Sequence, residues 1–131
     1  MEEIIINKYN CLKELGLSEK TIAFFLEQKL SGYRYITNPK HLQSGRHIRW
    51  ISLENPEAEI KINTGAIFCK MKDPDFLSEK IYLELKSYGK PPHYNSYYFS
   101  INFNSSLIFE KMTEDERIIA ITMEYMNKKI N

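Results

Sequence analysis

The chain has 131 residues, 43% hydrophobic and 13% aromatic, with 18 Lys and Arg against 17 Asp and Glu. That composition excludes a disordered or collagenous chain, and no apolar run approaches the ~20 residues that span a bilayer. A net charge of +1 and a pI near 7.7 count against tight nonspecific binding to nucleic acid.

The apolar spacing of Ile5, Tyr9, Leu12 and Leu15 predicts a helix over 2–15, with Gly16 at its C-cap. Ser18 caps a second helix over 19–30, whose apolar set is Ile22, Phe25, Leu26 and Leu30. From Tyr33 to Met112 the pattern becomes that of strands. Tyr33–Thr37 and Gly45–Leu53 are the first two, separated by the Asn38-Pro39 turn. Glu59–Asn63 and Ala66–Met71 flank Thr64-Gly65, which reads as a hairpin turn. Lys80–Lys86 alternates, with Ile81, Leu83 and Leu85 on one side. Tyr97–Phe103 alternates more cleanly: Tyr97, Phe99, Ile101 and Phe103 inward, Tyr98, Ser100 and Asn102 outward. Leu107–Lys111 closes the run.

Thr113 and Glu116 have the spacing of a capping box that opens a last helix over 113–129. Ile118, Ile119, Thr122, Met123, Tyr125 and Met126 form its broad apolar face, expected to pack on the sheet. Two helices, about seven short strands and a final helix predict an α+β fold. The expected architecture is a single domain over 1–131. An N-terminal helical hairpin (1–31) precedes a strongly curved antiparallel sheet or small β-barrel (33–112) and the C-terminal helix.

The acids are unevenly placed. No Asp or Glu lies between Glu27 and Glu54, nor between Glu84 and Glu110. The two gaps carry 7 of the 18 cations, which leaves 11 cations against 17 acids elsewhere. They also hold Trp50 and most of the tyrosines. Such segregation predicts one basic, aromatic face for phosphate or an acidic partner. Its expected residues are Arg34, Arg46, Arg49, Trp50, Lys90 and Tyr94. On the second strand, Arg46, Ile48 and Trp50 share one side and His47, Arg49 and Ile51 the other, so a cation stands beside an aromatic or faces a partner. The loop Gly89-Lys90-Pro91-Pro92-His93-Tyr94-Asn95 is stiffened by its Pro-Pro pair. Its tyrosines either stack on a partner or cover the end of the sheet.

Motifs for chemistry are sparse. His41, His47 and His93 have no metal-ligand spacing, and no G-x-S-x-G elbow or Gly-rich phosphate loop occurs. Asp73/Asp75 flank a proline turn, and Glu114/Asp115/Glu116 open a helix. Cys11 and Cys69 lack CxxC spacing; two reduced thiols in the core are expected, and one disulfide stays open. The acidic start, Met1-Glu2-Glu3, lacks the basic, long-apolar form of a secretory signal, so an intracellular location is expected.

Two resemblances follow. Leu12-Lys13-Glu14-Leu15-Gly16-Leu17-Ser18-Glu19-Lys20-Thr21-Ile22 resembles the centre of a helix-turn-helix, which implies a second helix for the major groove. Phe24, Phe25 and Glu27 depart from that pattern, and a helix hairpin made for packing has the same spacing. Over 33–126, Gly45–Ile51, Thr64–Phe68 and Phe109–Ile119 resemble small proteins of large DNA viruses. The abundance of Ile (17), Lys (14) and Asn (10), with their A/T-rich codons, agrees with such an origin. The expected function is a non-enzymatic interaction module without cofactor or metal, a viral subunit docking on a protein in a virion or transcription assembly. Direct binding of nucleic acid is the alternative, and an enzyme with a dispersed site the third reading. No membrane insertion is expected.

Overall fold

The computed structural model describes residues 2–72, 80–88 and 95–130. It is an α+β fold: N-terminal helices, an antiparallel sheet and a C-terminal helix. The chain separates into two compact units, residues 1–35 with 111–131, and residues 36–110. Among the described residues, no helix is long and apolar enough to cross a membrane.

In the first unit, α1 covers Glu2–Glu14 and α2 covers Glu19–Phe24. Gly16 between them has φ of +77°, the left-handed conformation that ends a helix at little cost for glycine. The Ser18 side chain accepts from the Thr21 backbone N–H at 3.2 Å, the expected N-cap. The second helix then widens into a π-helical turn, Phe25–Lys29, closed by Leu30 N–H donating to the Phe25 carbonyl at 2.8 Å. Leu12, Ile22, Phe25, Leu30 and Met112 are buried in this unit.

The C-terminal helix, α3, covers Glu114–Ile130. Its capping box is formed: Glu116 N–H donates to Thr113 Oγ1 at 3.2 Å, and Thr113 N–H donates to Glu116 Oε1 at 2.8 Å. The side chains of its expected apolar face are exposed. Ile118, Ile119, Met123, Tyr125 and Met126 are 54–60% exposed. At about 100° per residue these positions span roughly 160°, so they share one face of the helix, and that face is exposed.

Six strands are described: β1 Tyr33–Ile36, β2 His47–Ser52, β3 Asn63–Met71, β4 Tyr82–Ser87, β5 Tyr97–Asn102 and β6 Ser106–Lys111. They form an open sheet in the order β1-β6-β2-β3-β4-β5, not a closed barrel and not seven strands. Barrel closure requires the two outermost strands to pair, and here they are β1 and β5. The hairpin expected at Thr64-Gly65 is also absent. Residues 63–71 run on as one strand, and Gly65, at φ +45°, lies in a bulge rather than a turn. The register shows it: Ile48 faces Ala66 but Trp50 faces Asn63, so β3 has one residue more than β2. A second shift, between Phe68↔Leu85 and Lys70↔Glu84, inserts an extra residue at Cys69.

That second bulge sets the core. Ala66 and Phe68 face inward two residues apart; the next inward residue of β3 is Met71, three further on. They join Ile36, Leu42, Ile48, Leu83, Leu85 and Ile108, and full burial of each large side chain is worth roughly 1.5–3 kcal/mol. Phe99, Ile101 and Phe103 pack on this cluster as their alternation predicts. Tyr97 does not: it is 58% exposed, because its cross-strand partner is Ser87, where the apolar layer ends.

Glu110 is the second unit's fully buried carboxylate. The Gln43 backbone N–H donates to its Oε2 at 2.9 Å, and Arg46 Nη1 lies 3.7 Å from its Oε1. Arg46 Nη2 also donates to Gln43 Oε1 at 2.8 Å. A buried charge is tolerated when paired and hydrogen-bonded in this way, and the pairing holds the 43–46 segment to β6.

Candidate functional site

β4 and β5 pair so that their two faces differ in character. Tyr82↔Asn102, Glu84↔Ser100 and Lys86↔Tyr98 share one face; Leu83↔Ile101, Leu85↔Phe99 and Ser87↔Tyr97 share the other. On the first, Lys86 Nζ stands 5.2 Å from the centroid of the Tyr88 ring and 5.5 Å from that of Tyr98. The ammonium is held between two aromatic groups, an attraction of about 0.5–1 kcal/mol at an exposed site. Tyr82, Tyr88, Tyr97 and Tyr98 are all exposed.

On the second face the apolar layer ends in a row of rings. The Trp50 and Phe99 centroids are 5.7 Å apart, those of Phe99 and Tyr97 5.8 Å, both pairs tilted. With Asn63, Gly65 and Ser87 they line a cleft of about 210 Å³. Asn63 Nδ2 donates to the Trp50 carbonyl at 3.3 Å, tying β3 to β2 at the bulge. At Gly65 a Cβ would overlap the His47 imidazole, so the absence of a side chain there admits the ring. Among the described residues the lining has aromatic walls, an amide and a hydroxyl, with no carboxylate or imidazole. It can hold a flat or apolar group by stacking and orient it by hydrogen bonding.

The six residues singled out from sequence are placed as follows. Trp50 lines the cleft. Arg49 alternates with it along β2 and therefore projects from the opposite face of the sheet. Arg46 stands against buried Glu110. Arg34 belongs to the first unit, where its Nη1 is 3.8 Å from Glu116 Oε2. Lys90 and Tyr94, with the rest of the Pro-Pro loop, lie outside the described residues, as do Asp73 and Asp75. Tyr97, Phe99, Asn63, Ser87 and Lys86 are additions from the structure. The sequence signal for the first two was an aromatic pair at i, i+2 in a strand, which reads equally well as core.

Among the described residues, the groups whose pKa is shifted fall in the first unit. Cys11 is buried, its Sγ donating to the Lys8 carbonyl at 3.1 Å, and burial pushes its thiol up to about 12, with the Glu14 charge adding to the shift. Both cysteines are free thiols. Among the described residues, no group of three or more His, Cys, Asp or Glu side chains is arranged to hold a metal ion.

No family model, curated protein or solved structure matches this chain.

Proposed function

We propose that this protein is a non-enzymatic interaction module that docks on a protein partner through the aromatic end of its sheet. The observation that carries the reading is the row Trp50, Phe99 and Tyr97 around a cleft beside the terminal strand β5. Exposed tyrosines supply large contact area at small entropic cost, which is why they concentrate in interfaces. A terminal strand offers its outer backbone groups to an added strand. The occupant that fits both is an extended segment of a partner, seating an aromatic or proline side chain in the cleft, with an acidic residue toward Lys86. The resemblance to small viral proteins supports a virion or transcription assembly as the setting.

A second reading, single-stranded nucleic acid, draws on Lys86 held between Tyr88 and Tyr98, since bases stack on exposed rings beside a cation. Trp50 is the only tryptophan and reports on the cleft. Peptides selected from a displayed random library should shift its emission with little dependence on salt. Tyr97→Ala should weaken them by about tenfold or more. Oligonucleotides that bind instead, with affinity falling steeply in salt, would establish the second reading. If neither ligand class perturbs Trp50, both readings fail.

A further inference from the structure

The first unit contains a buried cation that makes no ion pair among the described residues. Lys8, on α1, is 2% exposed. Its Nζ donates to the Leu30 carbonyl at 2.9 Å, at the end of the π-helical turn. An ammonium has three donors, and this bond uses one. Among the described residues, no carboxylate lies within ion-pair distance of Lys8, and burial lowers its pKa. The Leu30 carbonyl and the negative end of the helix dipole offset part of the desolvation cost. A buried charge without a counter-charge remains expensive.

Lys8 also lines a cavity of about 500 Å³ together with Ile5, Ala23, Leu26, Glu27 and Ser31. The described lining residues all lie in the first unit. Ile5, Ala23 and Leu26 give it apolar walls, Ser31 a hydroxyl, and Lys8 the cation. Its volume is within the range of small-molecule sites, far larger than a bare ion requires.

We infer that this cavity is a binding site for a monocarboxylate on a small apolar group, its carboxylate taken by Lys8 and its tail lying along Ile5 and Leu26. The chemistry narrows the ligand. One ammonium balances one negative charge, and Glu27 on the same wall disfavours a phosphate dianion. A ligand without a charged head would leave the Lys8 charge as it is. The ligand is either a free carboxylic acid or the C-terminal carboxylate of a chain ending in an apolar residue.

Octanoate and two acetylated pentapeptides ending in leucine, one a free acid and one an amide, separate these sources. Binding to the full chain is followed by ligand-observed NMR. Octanoate, the free-acid peptide or both should bind with a dissociation constant of about 1 mM or tighter, and the amide at least tenfold more weakly. Lys8→Met should lose about tenfold or more. Glu27→Gln should tighten binding, since a like charge is removed. Ala23→Leu, at an exposed helical position, should block the cavity without loss of helicity. If Lys8→Met does not fold by circular dichroism, Glu27→Gln and Ala23→Leu decide the question. Equal binding of acid and amide, unchanged binding by a folded Lys8→Met or by Ala23→Leu, weaker binding by Glu27→Gln, or no binding at several millimolar would overturn the assignment.

Discussion

Substitution of Gly65 by Ala tests the link between the β3 bulge and the aromatic cleft. Two costs add. At φ +45° an L side chain meets its own backbone, a penalty of about 1–2 kcal/mol. The new Cβ also overlaps the His47 imidazole, and displacing a packed ring adds about 1–3 kcal/mol. Gly65→Ala should therefore destabilise the protein by about 2–5 kcal/mol, measured by urea denaturation. The two costs separate on a His47→Ala background, where the overlap is gone and the backbone penalty stays. There Gly65→Ala should cost only about 1–2 kcal/mol, a coupling within the usual range for contacting residues. Because Gly65 lines the cleft with Trp50, the single variant should also shift Trp50 emission in the folded state. An equal cost on both backgrounds, or a cost below about 0.5 kcal/mol on the natural one, would refute the close approach of His47 to Gly65.

Thr113→Ala should destabilise the protein by roughly 1 kcal/mol, seen as a lower urea midpoint and reduced helicity, because the Glu116 N–H loses its acceptor. Arg46→Met should cost about 3 kcal/mol, since it removes the guanidinium from a fully buried carboxylate, and Glu110→Gln on that background should recover a measurable part. Cys11 has a folded pKa of about 12 against an ordinary 9.0, so its contribution to stability is complete below pH 9 and is lost as pH rises through 12; Cys11→Ala should flatten that alkaline decline. At neutral pH iodoacetamide should modify Cys11 no faster than the protein unfolds, as followed by intact mass.

The features legible in the sequence are those set by near neighbours. Ser18 and Thr113 mark helix starts because a capping side chain bonds a backbone N–H three residues ahead, and both bonds are formed. The inward set Phe99, Ile101 and Phe103 follows from the two-residue period of a strand. Gly65 was misread because a hairpin turn and a bulge ask the same of the backbone, a positive φ that glycine supplies most cheaply. Tyr97 was misread because alternation says which face a residue takes and nothing of where the layer stops. Its exposure depends on Ser87 across the strand pair.

The candidate site is less legible for a reason of the same kind. Trp50, Asn63, Ser87 and Tyr97 come from four strands, and only the order β2-β3-β4-β5 brings them to one cleft. The acid-free stretches illustrate the converse. Charge segregation along a chain is segregation in space only if distant segments supply no counter-charge. Here Arg46 meets Glu110 and Arg34 meets Glu116, from the far end of the chain. The proposal therefore moves from the arginines to the rings, and within the sheet unit its cation is Lys86, which stands between two tyrosines rather than against an acid. A cation so placed keeps its charge available to a partner while its stem covers aromatic surface, the arrangement a docking face requires.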